Sequence, residues 1–411
     1  MQPRLAQGML PMPTLAAEPV PDFTSAAFLR AHIADILAFY RPVALDPAGG
    51  FFHYFRDDGT VYERSHRHLV SATRFVFNGA NAYRLGDGDP LWREWAAHGL
   101  RQLEQQFRMA SGDYAWTLRD GRIEDGRVMA YGQAFVLLAK SHAHRIGLCS
   151  AADVAAVFDR MEATLFEDAA GAYADERSAA GVLSDYRGQN ANMHSCEACI
   201  AAFEATGEAR YLARARRLAE SFAFRAAAAT GGQVWEHYDR HWQADWDYNR
   251  DHPGDIFKPW GFQTGHQTEW AKLLLQIHAL APEAALLQRA CELQDLAWAA
   301  GWDPQHGGLI YGYDPQGRPC DRDKYFWVQA ESLAAAWRLW RASGEARYRD
   351  QYLALWNWSW RHLVDHRYGA WYRVVAADGS KLEDTKSPAG KTDYHTLGAC
   401  WEVLASGGLA A

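Results

Sequence analysis

Gly49-Gly50-Phe51-Phe52-His53-Tyr54-Phe55, followed by Asp57-Asp58-Gly59, is the stretch whose reading decides the fold. Glycine opens it, aromatic side chains alternate through it, and an Asp-Gly pair closes it, the pattern of a short β-hairpin. The pattern returns at Gly112-Asp113-Tyr114-Ala115-Trp116, Gly171-Ala172-Tyr173-Ala174 and Gly231-Gly232-Gln233-Val234-Trp235. It returns again at Gly307-Gly308-Leu309-Ile310-Tyr311 and Gly369-Ala370-Trp371-Tyr372. Counted from Gly50, the glycines advance by 62, 59, 61, 76 and 61 residues. That period leaves room for two helices between hairpins, and apolar residues at helical spacing fill it. Examples are residues 92–107 with Leu100, Leu103 and Phe107, residues 152–166 with Val154, Phe158 and Met161, and residues 348–363. Gly86-Asp87-Gly88-Asp89 and Thr206-Gly207-Glu208 supply turns between helices. Six such units predict an all-α fold, an (α/α)6 barrel of helix-hairpin repeats with the short β-hairpins at one end. Residues 25–411 are expected to form a single barrel domain behind a flexible N-terminal arm, residues 1–24. The long fourth interval places its excess in residues 242–260, where a loop beside a candidate site often acts as a lid.

Composition narrows the function classes. Apolar residues make up 49% and charged residues 22% of 411, the balance of an ordinary globular protein. A net charge of −8 without a basic block argues against nucleic acid as a partner. No apolar run approaches the ~20 residues of a membrane span. Pro3, Pro11, Pro13, Pro19 and Pro21 interrupt the N-terminal segment, so no signal peptide is expected and the cytoplasm is the expected location. The six cysteines show no disulfide framework, and Cys196-Glu197-Ala198-Cys199 reads as helix packing. Eighteen tryptophans exceed ordinary usage and suit a pocket that stacks on sugar rings.

The polar residues that interrupt the helical runs fall soon after each hairpin. They are His66, Arg67, His68 and Arg74; Tyr131 and Gln133; Asn190, Asn192, His194 and Glu197; His266 and Glu269; Trp327, Gln329 and Glu331; and Lys391, Asp393 and His395. If the repeats are equivalent, these helix starts meet at one mouth of the barrel. No HExxH or comparable ligand spacing points to a metal, and no GxSxG elbow points to a nucleophile. Glu197, Glu269 and Glu331 leave glycoside hydrolysis open. Histidine with arginine fits proton transfer beside a carbonyl, the imidazole moving the proton and the cation steadying the enolate oxygen.

Asn190-Ala191-Asn192-Met193-His194, Gly265-His266-Gln267-Thr268-Glu269-Trp270, Trp327-Val328-Gln329-Ala330-Glu331 and Tyr394-His395 together resemble the N-acylglucosamine 2-epimerase superfamily. Within it, the wording is most similar to the D-mannose and sulfoquinovose isomerase branch, over about Phe51 to Leu404. The resemblance implies a six-fold α-barrel and an aldose–ketose isomerase interconverting D-mannose and D-fructose, or a related aldose such as D-lyxose, through a cis-enediolate. A sugar 2-epimerase is the alternative, since both reactions begin by removing the C2 proton, and an (α/α)6 glycoside hydrolase is a third. By the same resemblance, His266 and His395 are the acid/base pair and Glu269 orients or charges His266. Arg74 holds the substrate oxygens and the enediolate, and His194 assists ring opening. Tyr131, Asn190, Trp327 and Glu331 contact substrate. Gln133 departs from relatives that carry histidine there. No cofactor and no metal are implied; the expected partner is a monosaccharide, with homo-oligomerisation left open.

Overall fold

The computed structural model describes residues 20–407 apart from residue 87. Residues 1–19 of the expected arm lie outside the described residues. Six inner helices, Leu69–Leu85, Ala130–Arg145, Gln189–Thr206, Thr264–Leu280, Phe326–Ser343 and Tyr394–Ser406, each pack against the next, and the last packs against the first. Five are followed in the chain by an outer partner: Pro90–Gln102, Ala151–Thr164, Ala209–Ala219, Ala284–Gly301 and Ala346–His362. The sixth outer helix is Ala26–Tyr40, which packs on Tyr394–Ser406 and so joins the two ends of the barrel sequence. This is an (α/α)6 barrel. Inner helices are buried on nearly every face; Thr264–Leu280 is buried at thirteen of seventeen positions, including Lys272 and Glu269. A helix buried all round needs a reason for each charge it carries. No helix among the described residues is long and apolar enough to cross a membrane.

Short strands tie each repeat to the next. The strand before each inner helix pairs antiparallel with the hairpin of the following repeat, as in His66↔Arg119, Arg187↔Tyr238, Phe262↔Tyr313 and Lys324↔Val375. Phe55↔Ser387 closes the circle. The glycine-aromatic runs serve a related purpose one step earlier than expected. They curl back onto the end of the preceding outer helix through isolated bridges such as Arg108↔Tyr114 and Trp302↔Leu309. Glycine recurs because this curl needs a left-handed residue in a crowded place: Gly308 has φ 73°, and a Cβ there would meet the Trp358 indole at 2.8 Å.

Amides near the start of the inner helices lock this curl in place. Gln133 accepts from the Tyr114 N–H at 3.1 Å and donates to its carbonyl at 2.9 Å. Asn192 clamps Tyr173, Gln267 clamps Val234 and Gln329 clamps Leu309 in the same two-sided way. Part of the polar signal at the helix starts is therefore structural: it satisfies backbone groups that the curl would otherwise bury unpaired. Gln133, with both amide groups engaged, belongs to this set.

Candidate active site

All six inner helices start at the hairpin end, so their first turns surround one mouth. There a cavity of about 670 Å³ is lined by Arg74, Tyr131, Asn190, His194, His266, Glu269, Trp327 and His395. These are eight of the nine residues to which the resemblance assigns a role; Glu331 lies beneath this cavity rather than on its wall.

His266 is held by residues the sequence did not reveal. Its Nδ1 lies 2.8 Å from Glu236 Oε1, and Glu236 Oε2 accepts from Gln189 Nε2 at 2.9 Å. The orientation of that amide is set by Trp270, whose indole N–H can only donate and does so to Gln189 Oε1 at 2.7 Å. Gln189 Nε2 also stands 2.9 Å from His266 Nδ1, so carboxylate and amide together hold that side of the ring, and Nε2 is the nitrogen turned to the cavity. The expected pairing of His266 with Glu269 is not formed. One helical turn places the two side chains on one face, but the imidazole turns outward to the hairpin carboxylate. Glu236 could have been noticed as a charge inside an aromatic strand run, Val234-Trp235-Glu236-His237, where it is 2% exposed.

His395 has a different support. Its Nδ1 lies 2.6 Å from Glu331 Oε1, and Glu331 Oε2 accepts from Lys272 Nζ at 2.6 Å. Glu331, expected to contact substrate, instead orients a histidine, because its position one turn inside its helix puts the carboxylate below the cavity floor. The segment leading to His395 is wound tightly: Thr392 and Asp393 are both left-handed, with φ 43° and 48°. Such backbone costs of order 1–3 kcal/mol per residue and persists only where surrounding contacts hold it. Tyr40 Oη and Lys391 Nζ supply them, at 2.6 and 2.5 Å from Asp393 Oδ2. Trp327 lies between the two histidines, its ring 4.9 Å from His266 and 5.9 Å from His395. It comes that close because residue 265 is glycine; a Cβ there would sit 2.3 Å from the indole.

His194 Nδ1 pairs with Glu197 Oε2 at 3.0 Å. Burial pushes the His194 imidazole down to about 4 against the pull of Glu197, and burial with Arg74, His194 and Lys272 nearby holds His395 well below its ordinary value. Both rings are therefore neutral at pH 7. Glu269 is fully buried and neither of its oxygens has a hydrogen-bond partner. Burial and the neighbouring Glu331 raise its pKa well above the carboxylate range, so it is poised as a neutral acid at the cavity wall. Among the described residues two groups could hold a cation, His194 with Glu197 and Glu269, and Glu269 with Glu331 and His395. Lys272 Nζ already stands among them, 2.6 Å from Glu331, 3.6 Å from Glu197 and 3.8 Å from Glu269, and a divalent ion would meet that ammonium.

Arg74 donates from Nη2 to Tyr131 Oη at 3.1 Å and from Nη1 to the Gly390 carbonyl. Its guanidinium is sandwiched 4.4 and 4.5 Å from the Phe135 and Tyr394 rings, which fix its plane without neutralising its charge. The roof is the long loop of the fourth repeat. Phe257 reaches across to stack on His68, rings 5.5 Å apart, and Asn190 donates to its carbonyl at 3.3 Å. Lys258 sits over Tyr186 and Arg250 pairs with Asp247, so neither loop cation lines the cavity.

The family described as N-acylglucosamine 2-epimerase (GlcNAc 2-epimerase) is matched over residues 50–399. The chain is 50% identical over 387 residues to the D-mannose isomerase of Marinomonas mediterranea, covering 93% of this chain and 98% of that protein. A crystal structure of D-mannose isomerase superposes with a TM-score of 0.92 at 50% identity, over 94% of this chain and 99% of the other. A cellobiose 2-epimerase from Bacillus thermoamylovorans superposes with a TM-score of 0.81 at 18% identity, over 93% and all (100%) of the two chains, a likeness of fold alone.

Proposed function

The chain belongs to the N-acylglucosamine 2-epimerase family, and from that premise we propose that it is an aldose–ketose isomerase interconverting D-mannose and D-fructose. The observation that carries the reading is the pair His266 and His395, flanking one indole with each Nδ1 tied to a carboxylate and each Nε2 left to the cavity. With the open-chain aldose bound, one neutral imidazole removes the C2 proton while O1 gains one, giving the cis-enediol or its anion. Arg74 holds the developing negative charge on the oxygens. Loss of the O2 proton and return of a proton to C1 then yields the ketose, with no net gain or loss of atoms. The second histidine serves the oxygen protons, and His194 is placed to help open the hexose ring. Glu269 presents an acid proton to a substrate oxygen; Tyr131, Asn190 and Trp327 complete the contacts.

Charge favours a neutral sugar. Besides Arg74, the cations on the wall are Arg373, 2.6 Å from Glu383, and Lys391, paired with Asp393. Neither is left to neutralise a sulfonate or phosphate. The six cysteines are all unpaired, which suits the reducing cytoplasm as its location. Proton NMR with D-mannose in D2O tests the assignment: fructose is expected as the first product, and glucose appearing first would replace the isomerase by a 2-epimerase. EDTA is expected to leave the rate unchanged; loss of activity restored by one divalent metal overturns the metal-free chemistry.

A further inference from the structure

A second cavity lies inside the barrel on the far side of the Lys272–Glu331 pair. Counting the open solvent at its mouth, its empty space is about 870 Å³, against roughly 670 Å³ for the catalytic cavity. Its lining carries four basic and four acidic side chains. Arg145 is paired with Glu204 at 3.0 Å, Lys272 with Glu331 at 2.6 Å, and Arg338 with Glu402. The balance leaves no net charge to draw in an anion or a cation, while so many charges repel an apolar guest. An aromatic wall completes it: Phe77 packs edge-on against His142, rings 4.6 Å apart, and 5.8 Å from Trp401. His142 itself is buried against Phe77 at the edge of this wall. Gly398 leaves the space open, since a Cβ added there meets nothing within 4 Å.

We propose that this far cavity is a second binding site for a neutral polyhydroxylated molecule, a free hexose or hexitol. Charged and amide groups paired among themselves around an aromatic face offer hydrogen bonds without a net charge, which suits a polyol better than any ion. The size comparison rests on the catalytic cavity taking a hexose. The site shares Glu197, Lys272 and Glu331 with the supports of His194 and His395, so its occupant borders the catalytic machinery from behind. The probe is D-mannitol, which has no carbonyl and cannot be isomerised. Equilibrium dialysis with labelled mannitol is expected to show one molecule fewer per chain in Gly398→Leu than in the wild type, with mannose turnover retained. Equal stoichiometry in the two proteins overturns the proposal, whether or not mannose is converted, and so separates its failure from failure of the isomerase assignment. A wild-type crystal soaked in mannitol removes any dependence on the variant: mannitol between His142 and Trp401 supports the site, and solvent alone there overturns it.

Discussion

The mounts of His266 and His395 reach the same end by different electrostatics. Behind His266 stands a mostly neutral chain, indole to amide to carboxylate, with Glu236 its single charge. Behind His395 stands an ionic cluster, where one ammonium answers two buried carboxylates, Glu197 and Glu331, beside the neutral acid Glu269. Both present Nε2 to one cavity. A tautomer can thus be set by directional hydrogen bonds or by a crowded ion cluster, but the two should fail differently. A neutral network that loses a member loses orientation. An ion cluster that loses a member strands a charge in low dielectric.

The largest effect tests the feature the mounts share. His266→Ala or His395→Ala should each lower kcat by about 10²–10⁴-fold with the fold retained, the usual scale for general acid–base groups. Near-normal kcat in either variant sinks the paired-histidine mechanism. The carboxylates then separate the mounts. Glu331→Gln should cost about 3–5 kcal/mol of stability, read by denaturant unfolding, because Lys272 loses its partner. Glu236→Gln should lower kcat about 10–100-fold, as for partners that orient a functional imidazole, with little change in the unfolding midpoint. Equal stability losses in both would erase the distinction drawn here. A smaller step is Gln189→Leu, which leaves the Trp270 indole unpaired at about 1–3 kcal/mol and frees the Glu236 carboxylate to turn. Its kcat should fall less than that of Glu236→Gln.

The smallest effect is in pH. His194 and His395 have depressed values in the fold, so the unfolded chain binds more protons below about 6.5. Their contribution to stability is complete above that pH and is lost as the pH falls toward about 4, the folded value of His194. Unfolding midpoints measured across this window should decline with acid, and His194→Gln should flatten the decline. An identical slope in the variant would remove His194 from the account.

Reading the sequence reached the barrel because a glycine period near 60 and alternating aromatics are local properties, enforced by a left-handed turn that recurs in every repeat. It also gathered eight cavity residues, since equivalent positions in equivalent repeats must converge. The partners of those residues were a different matter. Glu236 and Gln189 are 47 residues apart and Glu331 and His395 are 64 apart, and no spacing rule connects either pair. Local geometry even misled: His266 and Glu269 are correctly placed on one helix face, yet the ring is taken by a hairpin from its own repeat. Gln133, Asn192 and Gln329 looked like site residues because a buried amide at a helix start has the same signature whether it holds a ligand or a backbone curl. The sequence by itself determined the repeat, the ring and the identity of the groups at its mouth. Only the tertiary structure decided which nitrogen of each histidine faces the cavity, because that choice belongs to hydrogen bonds between side chains far apart in the chain.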